Sequence, residues 1–216
     1  MTRRSRQHMY GGGTAPVIAD NIFNSVGGPY VAIMPAIVDA GDLLFIIADR
    51  HSSISGGITG TPSGWTELEQ TSNIGVFYKW ADGTEDGDSI TVPASGSALS
   101  IMMTVLRITG ADTAIGPQKT ATATGSSTAP NPPAIDPPWA DFKALLIAVT
   151  LLDESSATVS GYPAGYDLFH QVNTGSGAQS VFAAKEVTVA TSDDPGAFAI
   201  SPASDWICFT LAVKGT

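Results

Sequence analysis

The chain has 216 residues, with 10 Lys and Arg against 20 Asp and Glu and a single cysteine, Cys208. One cysteine excludes an internal disulfide framework and a cysteine-rich zinc site. The sequence has no apolar run of about 18 residues and no apolar segment behind its N-terminal arginines, so it predicts neither a membrane span nor a secretory signal.

The first predicted element is a flexible basic arm over residues 1–13. Arg3, Arg4 and Arg6 lie in this arm, ahead of a glycine hinge at residues 11–13. Residues 7–216 hold 7 basic and 20 acidic side chains, a net charge of −13. Because such a body repels phosphate, we do not expect it to bind nucleic acid. The arm is either a loose terminus or a segment that docks on an acidic neighbouring subunit.

Residues 14–216 are predicted to form a single all-β domain. No stretch of eleven residues carries apolar positions at helical spacing, and Gly, Pro, Thr and Ser interrupt the chain throughout. Many short strands are typical of a sandwich or a barrel. Apolar runs between turn residues predict strands at 30–38, 42–48, 66–71, 75–80, 89–92, 98–108, 119–124, 144–152, 166–172, 180–187, 197–201 and 206–213.

Alternation of side chains predicts which strand faces form the core. The run at 43–48 is apolar on both faces, so it needs a cover over its second face, from a loop or from another subunit. The predicted core faces are Ile207, Phe209, Leu211 and Val213 in the last strand and Leu99, Ile101, Met103 and Val105 in strand 98–108, with Ser100, Met102 and Thr104 turned outward.

Two parts of the sequence are similar to each other, in the same order, at a spacing slightly above one hundred residues. The segment 43–46 recurs at 145–148, and Pro-Ser-Gly-Trp at 62–65 recurs as Pro-Ala-Gly-Tyr at 163–166. We therefore predict a jelly-roll-like antiparallel β-sandwich built from two similar sequence halves, about 30–110 and 142–216, with a proline-rich connection at 111–141. Two tandem small sandwiches are the alternative.

Catalytic residues are not predicted. His8, His51 and His170 are the only histidines, and no serine lies in a Gly-x-Ser-x-Gly elbow. His51 and His170 follow predicted strands and are expected to be solvated loop residues. Glu67 and Glu69 would share one face of a strand, but two neighbouring carboxylates are common on a solvent-exposed strand and do not by themselves indicate catalysis. We therefore expect a protein that is not an enzyme.

The acidic turn at 82–88 is the candidate metal site. Asp82, Asp86 and Asp88 alternate with glycines there, an arrangement in which carboxylate oxygens can converge on calcium. The turn lacks the full twelve-residue calcium loop, and Gly/Asp turns are common in hairpins. The two interpretations of this turn are therefore a calcium site formed by these three residues and an ordinary hairpin turn without a metal. No other cofactor is expected.

Aromatic residues offer a second kind of site. Trp65, Trp80, Trp139, Trp206 and Tyr166 could be stacking platforms for sugars. The alternative for Trp65 and Tyr166, which follow equivalent Pro-x-Gly turns, is that they close the ends of the sandwich.

Four segments in a fixed order resemble a group of tailed-bacteriophage virion proteins. The resemblance covers about residues 35–110 and extends more weakly through the second half. The segments are Gly41-Asp42-Leu43-Leu44, Thr61-Pro62-Ser63-Gly64-Trp65-Thr66, Tyr78-Lys79-Trp80-Ala81-Asp82-Gly83-Thr84-Glu85 and Arg107-Ile108-Thr109-Gly110. Members of this group are β-rich and are associated with capsid decoration, head spikes or tail parts, so the resemblance implies a structural role, carries over no catalytic residues and does not decide between head and tail.

The leading expectation is a non-enzymatic virion structural protein on the phage capsid surface, assembled in the host bacterial cytoplasm as a homo-oligomer. Its partners would be capsid proteins or neighbouring subunits, reached through the arginines of the arm. The alternative function is a glycan- or host-receptor-binding module of a phage tail or fibre.

Overall fold

The computed structural model describes residues 14–26, 30–50, 56–96, 101–139, 143–154, 156–173, 178–189 and 191–216. These residues form strands and no helix, which confirms the all-β prediction. The arm at 1–13, with Arg3, Arg4, Arg6 and His8, and also His51, Leu99 and Ser100 lie outside the described residues. The strands are β1 Val17–Val26, β2 Val31–Ile33, β3 Leu43–Arg50, β4 Gly56–Ile58, β5 Thr66–Gln70, β6 Ile74–Trp80, β7 Ser89–Thr91, β8 Ala94–Gly96, β9 Ile101–Thr109, β10 Gln118–Lys119, β11 Ala123–Ser127, β12 Ala144–Leu152, β13 Thr158–Gly161, β14 Asp167–Asn173, β15 Gln179–Val187, β16 Ala199–Ser201 and β17 Ser204–Lys214.

The long strands form two antiparallel sheets. Sheet 1 has the order β1-β9-β3-β6-β5, and sheet 2 has the order β10-β17-β12-β15-β14, with β11 also paired to β17. In sheet 1, β9 lies between β1 and the central strand β3. In sheet 2, β17 lies in the same way between β10 and the central strand β12. The two orders are therefore the same, as expected if the halves are related, while the jelly-roll topology and the division into domains stay predictions.

The main core lies between the two sheets. Sheet 1 contributes Leu43, Phe45 and Ile47 from β3, and sheet 2 contributes Leu145 and Ile147 from β12, all of them at most 2% exposed. Phe209, Leu211 and Val213 of β17 also lie in this core, and Ile207 packs against it, as predicted. Burial of each such large side chain stabilises the fold by roughly 1.5–3 kcal/mol, so the shared core holds the sheets face to face.

Each sheet also has an outer face that the chain itself covers. Met34, Trp65 and Val92 pack over Leu44 and Ile46 of β3. On sheet 2, Trp139, Tyr166, Phe198 and Ile200 pack over Leu146 and Ala148 of β12. The run at 43–48 is therefore covered by the chain's own loops and short strands, and its second face needs no other subunit.

The prediction for β9 was right that one face is buried in a core and wrong that the other face is exposed. Ile101, Met103 and Val105 lie in the outer cluster of sheet 1, whereas Leu106 and Ile108 lie between the sheets. Met102 and Thr104, predicted to face outward, are 1% exposed. Because both faces of this central strand are covered, the apolar pattern could not indicate which of them meets the other sheet.

Two polar contacts join the sheets along their opposite sides. At the side formed by β1 and β14, His170 Nδ1 lies 2.9 Å from Asn21 Oδ1 and His170 Nε2 lies 3.4 Å from Thr104 Oγ1. At the side formed by β5 and β10, the Lys119 ammonium donates to the Glu69 carboxylate and lies 4.6 Å from the centre of the Phe209 ring. Each edge strand of one sheet is therefore tied to the edge region of the other.

Candidate binding cleft

The described part of the molecule has two ends that differ in charge. We call the end at which β3 and β12 begin the base, because Thr14 and Thr216 also meet there, with their hydroxyl oxygens 3.1 Å apart. The opposite end, at which β3 and β12 finish, is the cleft end. The predicted site residues are divided between these two ends.

At the base, residues from the sequence segments 41–44, 78–85 and 107–110 bind one another. Arg107 donates to Asp42 at 2.5 Å and to Asp39 at 2.7 Å. Backbone bonds from Gly41 N to Ala81 O and from Ala81 N to Asp42 O, 2.9 and 2.8 Å long, join the first segment to the third. The guanidinium is held by two carboxylates and its pKa is raised, although burial acts in the opposite direction. These segments form a structural tie.

The acidic turn is part of the same tie. Glu85 is 2% exposed and accepts a hydrogen bond from Lys79 at 2.6 Å and from the amide of Gly83 at 3.0 Å. Despite its burial, these donors hold the pKa of Glu85 below its ordinary value. Gly83 has φ +88°, a conformation that explains glycine at this point of the turn.

The predicted calcium ligands do not come together. Asp82 Oδ1 accepts from Thr84 N at 3.1 Å, and Asp86 Oδ1 accepts from Val38 N at 2.6 Å, while Asp88 is exposed. Among the residues that the structure describes, no three His, Cys, Asp or Glu side chains are grouped to hold a metal ion. Hydrogen bonds thus stabilise the turn as it stands, and calcium binding at these three residues stays a prediction.

Sheet 2 has a comparable tie. Lys185 binds Asp193 at 2.5 Å, and the Tyr166 hydroxyl donates to the other oxygen of Asp193 at 2.6 Å. Burial and this carboxylate raise the pKa of Tyr166 far above its ordinary value, so the phenol stays protonated. Lys214 binds Asp112 at 2.5 Å near the chain terminus.

His170 was predicted to be a solvated loop residue, and this prediction was wrong. His170 lies on β14 and is 6% exposed. Burial lowers its pKa to about 4, so the ring is neutral at pH 7. Its edge meets the Phe182 ring at 5.2 Å between centroids. With Asn21 and Thr104 on its two nitrogens, it serves to join the sheets and is not placed as a catalytic base.

Glu67 and Glu69 bind different partners. A β-bulge lies between them, so the strand does not present them as a simple pair. Glu67 accepts from Thr61 Oγ1 at 2.6 Å, whereas Glu69 accepts from Lys119 and Thr122.

Three of the predicted aromatic platforms are closed to ligands. Trp65, Trp139 and Tyr166 are 8%, 7% and 3% exposed and cover the outer faces of the sheets. Trp65 and Tyr166 thus act as covers over the outer faces of the two sheets. Trp206, by contrast, is only partly buried and lies at the cleft end.

A cleft of about 540 Å³ opens at this end between the two sheets. Sheet 1 contributes the last residues of β3 and the β5–β6 turn, and sheet 2 contributes β11, the end of β12 and the start of β17. The lining residues are Asp49, Arg50, Asn73, Thr124, Gly125, Ser126, Leu151, Leu152, Asp153, Asp205, Trp206 and Ile207. Its volume lies in the ordinary range of ligand pockets, about 300–1,000 Å³.

Three carboxylates line the cleft. Asp153 and Asp205 are neighbours across β12 and β17, with Asp153 N donating to Asp205 O at 3.0 Å. Asp49 is 5% exposed and lies at the inner end of the core. Burial, with a smaller contribution from the charge of Asp153, raises the pKa of Asp49 to about 7. The cleft therefore holds a carboxyl group whose ionisation is poorly stabilised by the protein.

Hydrogen-bonding and apolar groups complete the wall. Arg50 donates to Asn73 Oδ1 at 2.8 Å and also to the carbonyl oxygen of Gly56. Trp206 Nε1 donates to Ser127 Oγ at 3.0 Å. A side chain at Gly125 would lie 2.4 Å from the indole, so only glycine allows β11 to pass so close to Trp206. The described lining residues supply charged, hydrogen-bonding and aromatic groups that can hold a cationic or a hydroxyl-rich ligand.

Sequence reasoning missed this cleft because its residues come from five separate places in the chain. One signal was available: Asp49 directly follows the apolar run 43–48, and Asp153 directly follows 144–152, in which Thr150 is the one polar residue. A carboxylate at that point is costly unless it serves the fold or a ligand.

No known protein family, no curated protein and no solved structure matched this chain when it was compared with them. The described residues contain no helix that is long and apolar enough to cross a membrane.

Proposed function

We propose that the protein is a non-enzymatic structural component of a bacteriophage virion, a homo-oligomeric decoration, cement or spike protein on the capsid surface. Arg3, Arg4 and Arg6 would anchor it to capsid proteins or to neighbouring subunits. It would be assembled in the host bacterial cytoplasm and reside in the virion.

The observation that supports this proposal most is the role of the phage-like segments. Asp42, Lys79, Glu85 and Arg107 bind one another at the base, and Trp65 covers sheet 1. Residues that carry the resemblance thus maintain the fold and do not line the cleft. This is the pattern expected of a building block whose role depends on shape and surface.

The direct test is the protein content of purified phage particles. Mass spectrometry should detect the chain at a constant copy number per particle, and antibody labelling should place it on the head. Its absence from particles that are washed and infectious would contradict the proposal.

Deletion of residues 2–9 tests the arm separately. We expect particles to lose the subunit while the purified protein keeps its melting temperature, because the described fold begins at Thr14. Substitution of residues 2–9 by an uncharged Ser/Gly segment of equal length is the control for arm length. Undiminished occupancy would exclude the arm as the anchor.

The cleft gives specific support to the second candidate, a glycan- or host-receptor-binding module of a tail or fibre. Asn73, Asp205 and Trp206 are residue types that bind sugars by hydrogen bonds and stacking. A glycan array should then show saturable binding that Asp205→Asn weakens. Labelling of the tail instead of the head would favour this candidate.

A further inference from the structure

We propose that the side chain of Tyr10 binds in an apolar groove between β1 and β14 of its own chain, so that the arm is held against the base. This groove has a volume of about 500 Å³, and we call it the side groove. The proposal goes beyond the proposed function and does not depend on it. The residues that line the side groove are Val17, Ile18, Leu145, Gly165, Asp167, Phe169, Ala184, Lys185 and Glu186.

The side groove opens onto the main core. Leu145 is 2% exposed and belongs to that core, and Ile18, Phe169 and Ala184 are partly buried and pack against it. Val17, at the start of β1, is 42% exposed. Burial of an aromatic ring against these apolar side chains would remove their remaining surface from water, which stabilises the contact.

The same chain covers its other apolar surfaces with aromatic side chains. Trp65 packs over the outer face of sheet 1, and Tyr166 packs over the outer face of sheet 2. The side groove is an apolar surface of the same kind at an edge of the sandwich. An aromatic side chain from a nearby segment of the chain is therefore the occupant that fits it.

The position of the arm selects Tyr10 as that occupant. Tyr10 precedes Thr14 by four residues, a reach of at most about 14 Å, and Val17 follows Thr14 by three residues. Val17 pairs with Thr109, and the adjacent Ile108 pairs with the first residue of β3, so the side groove lies at the base. The cleft is farther away than this reach, because β3 alone spans about 26 Å.

The three residues between Tyr10 and Thr14 are glycines, at 11–13. Glycine adopts positive φ values that other residues avoid, so this segment can reverse the direction of the chain in a short distance. The triplet thus allows Tyr10 to turn back onto the side of the base from which β1 begins.

The polar groups of the side groove suit a phenol. Asp167 pairs with Ala184 and Glu186 pairs with Leu145, so both carboxylates lie on the face of sheet 2 that lines the groove. Both residues are exposed. The ring of Tyr10 would contact the apolar lining, and its hydroxyl would donate a hydrogen bond to one of these carboxylates.

Charge favours the same placement. The lining has two carboxylates and one cation, Lys185, which binds Asp193. Arg6 precedes Tyr10 by four residues, so binding of the tyrosine brings an arginine near carboxylates of opposite charge. Arg3 and Arg4 would then leave the body at one fixed place beside the base, where a partner can bind them.

The test measures the accessibility of Tyr10 in the full chain. Tetranitromethane nitrates exposed tyrosines, and mass spectrometry of peptides gives the rate at each tyrosine. Tyr162, which is 47% exposed, and Tyr166, which is 3% exposed, are the open and the buried reference in the same molecule. In the folded protein Tyr10 should react at least about fivefold more slowly than Tyr162, because its ring is removed from water. In urea the two rates should be equal.

Two variants change the side groove and leave the arm intact. Val17→Lys adds a charge at an exposed position of the lining, and Ala184→Arg fills the groove with a long side chain. Each should raise the nitration of Tyr10 to the rate of the open reference. Ile33→Lys is the matched control, since Ile33 is 44% exposed and lies outside the lining, and it should leave Tyr10 protected. Circular dichroism checks folding, and the exposed position of Val17 keeps the test valid if Ala184→Arg does not fold.

Nitration of wild-type Tyr10 at the rate of Tyr162 would overturn the proposal. Equal effects of Val17→Lys and Ile33→Lys would also overturn it. Protection that grows with protein concentration would show that a second copy covers Tyr10, which contradicts binding within one chain. The measurement uses purified protein, so its result is independent of whether the chain is present on particles, and the two proposals can fail separately.

Discussion

The two ends of this sandwich differ in how their buried charged side chains are stabilised. At the base, buried acidic groups are paired with lysine or arginine, and their pKa values are lowered or their cationic partners held charged, as for Glu85 and Arg107. At the cleft end, Asp49 is buried with a raised pKa. The paired charges at the base stabilise the fold, whereas burial of Asp49 at the cleft end disfavours its ionised form.

Among the changes that test this difference between the two ends, removal of Arg107 should reduce the free energy of unfolding most. Arg107→Met leaves Asp42, which is 6% exposed, without its cation. An uncompensated buried charge costs several kcal/mol, so the free energy of unfolding in urea should fall by about 4 kcal/mol. Asp39→Asn is the control, since Asp39 is 75% exposed and should contribute less than about 1 kcal/mol. Similar effects of the two changes would mean that the base is not a structural tie.

Asp49→Asn should act in the opposite direction. The folded state binds a proton on Asp49 up to a pKa of about 7, against 3.8 ordinarily, so wild-type stability falls as pH rises from about 4 to 7 and stays low above that. The variant lacks this loss and should be more stable than the wild type by roughly 4 kcal/mol at pH 8, with little difference at pH 4. Urea unfolding at both values measures this. A destabilised variant at pH 8 would show that the ionised carboxylate is well bound in the cleft.

Substitution of His170 should change the pH dependence of the free energy of unfolding less, and at the acidic side instead of the basic side. Its folded pKa of about 4 lies below the ordinary 6.5 because of burial, so its contribution is complete above pH 6.5 and is lost as pH falls towards 4. His170→Gln, which keeps a hydrogen-bonding group near Asn21, should reduce the loss of stability between pH 7 and 4 by about 2 kcal/mol. An unchanged pH profile would place the acid sensitivity elsewhere.

Chelation should have no effect. Since Asp82 and Asp86 bind Thr84 and Val38, EDTA or added calcium should leave the melting temperature of the protein unchanged. A rise with calcium that Asp88→Asn abolishes would restore the metal site.

The elements that were predictable from sequence are those whose apolar pattern is local. β12 has the bounds predicted for it, 144–152, because nine apolar or small residues stand between polar neighbours. β1 was missed because Asp20 and Asn21 interrupt it, and an edge strand tolerates such residues. The strand predicted at 119–124 is two short ones, β10 and β11, on either side of a break.

The cleft and the burial of His170 were not predictable by the same reasoning. Both depend on which residues the sheets bring together: His170 meets residues 66 and 149 positions away. No local pattern records such a distance. The apolar cover of 43–48 was foreseen as necessary, but only the fold could show that Met34, Trp65 and Val92 supply it.

The separate covers of the two sheets have a consequence for how this protein can change. Trp65 and Val92 touch one outer face, Tyr166 and Phe198 the other, and neither set takes part in the interior that the sheets share. A substitution in the cover of one outer face therefore removes no contact within the cover of the other. The two covers are separate clusters that are connected only through the pair of sheets between them.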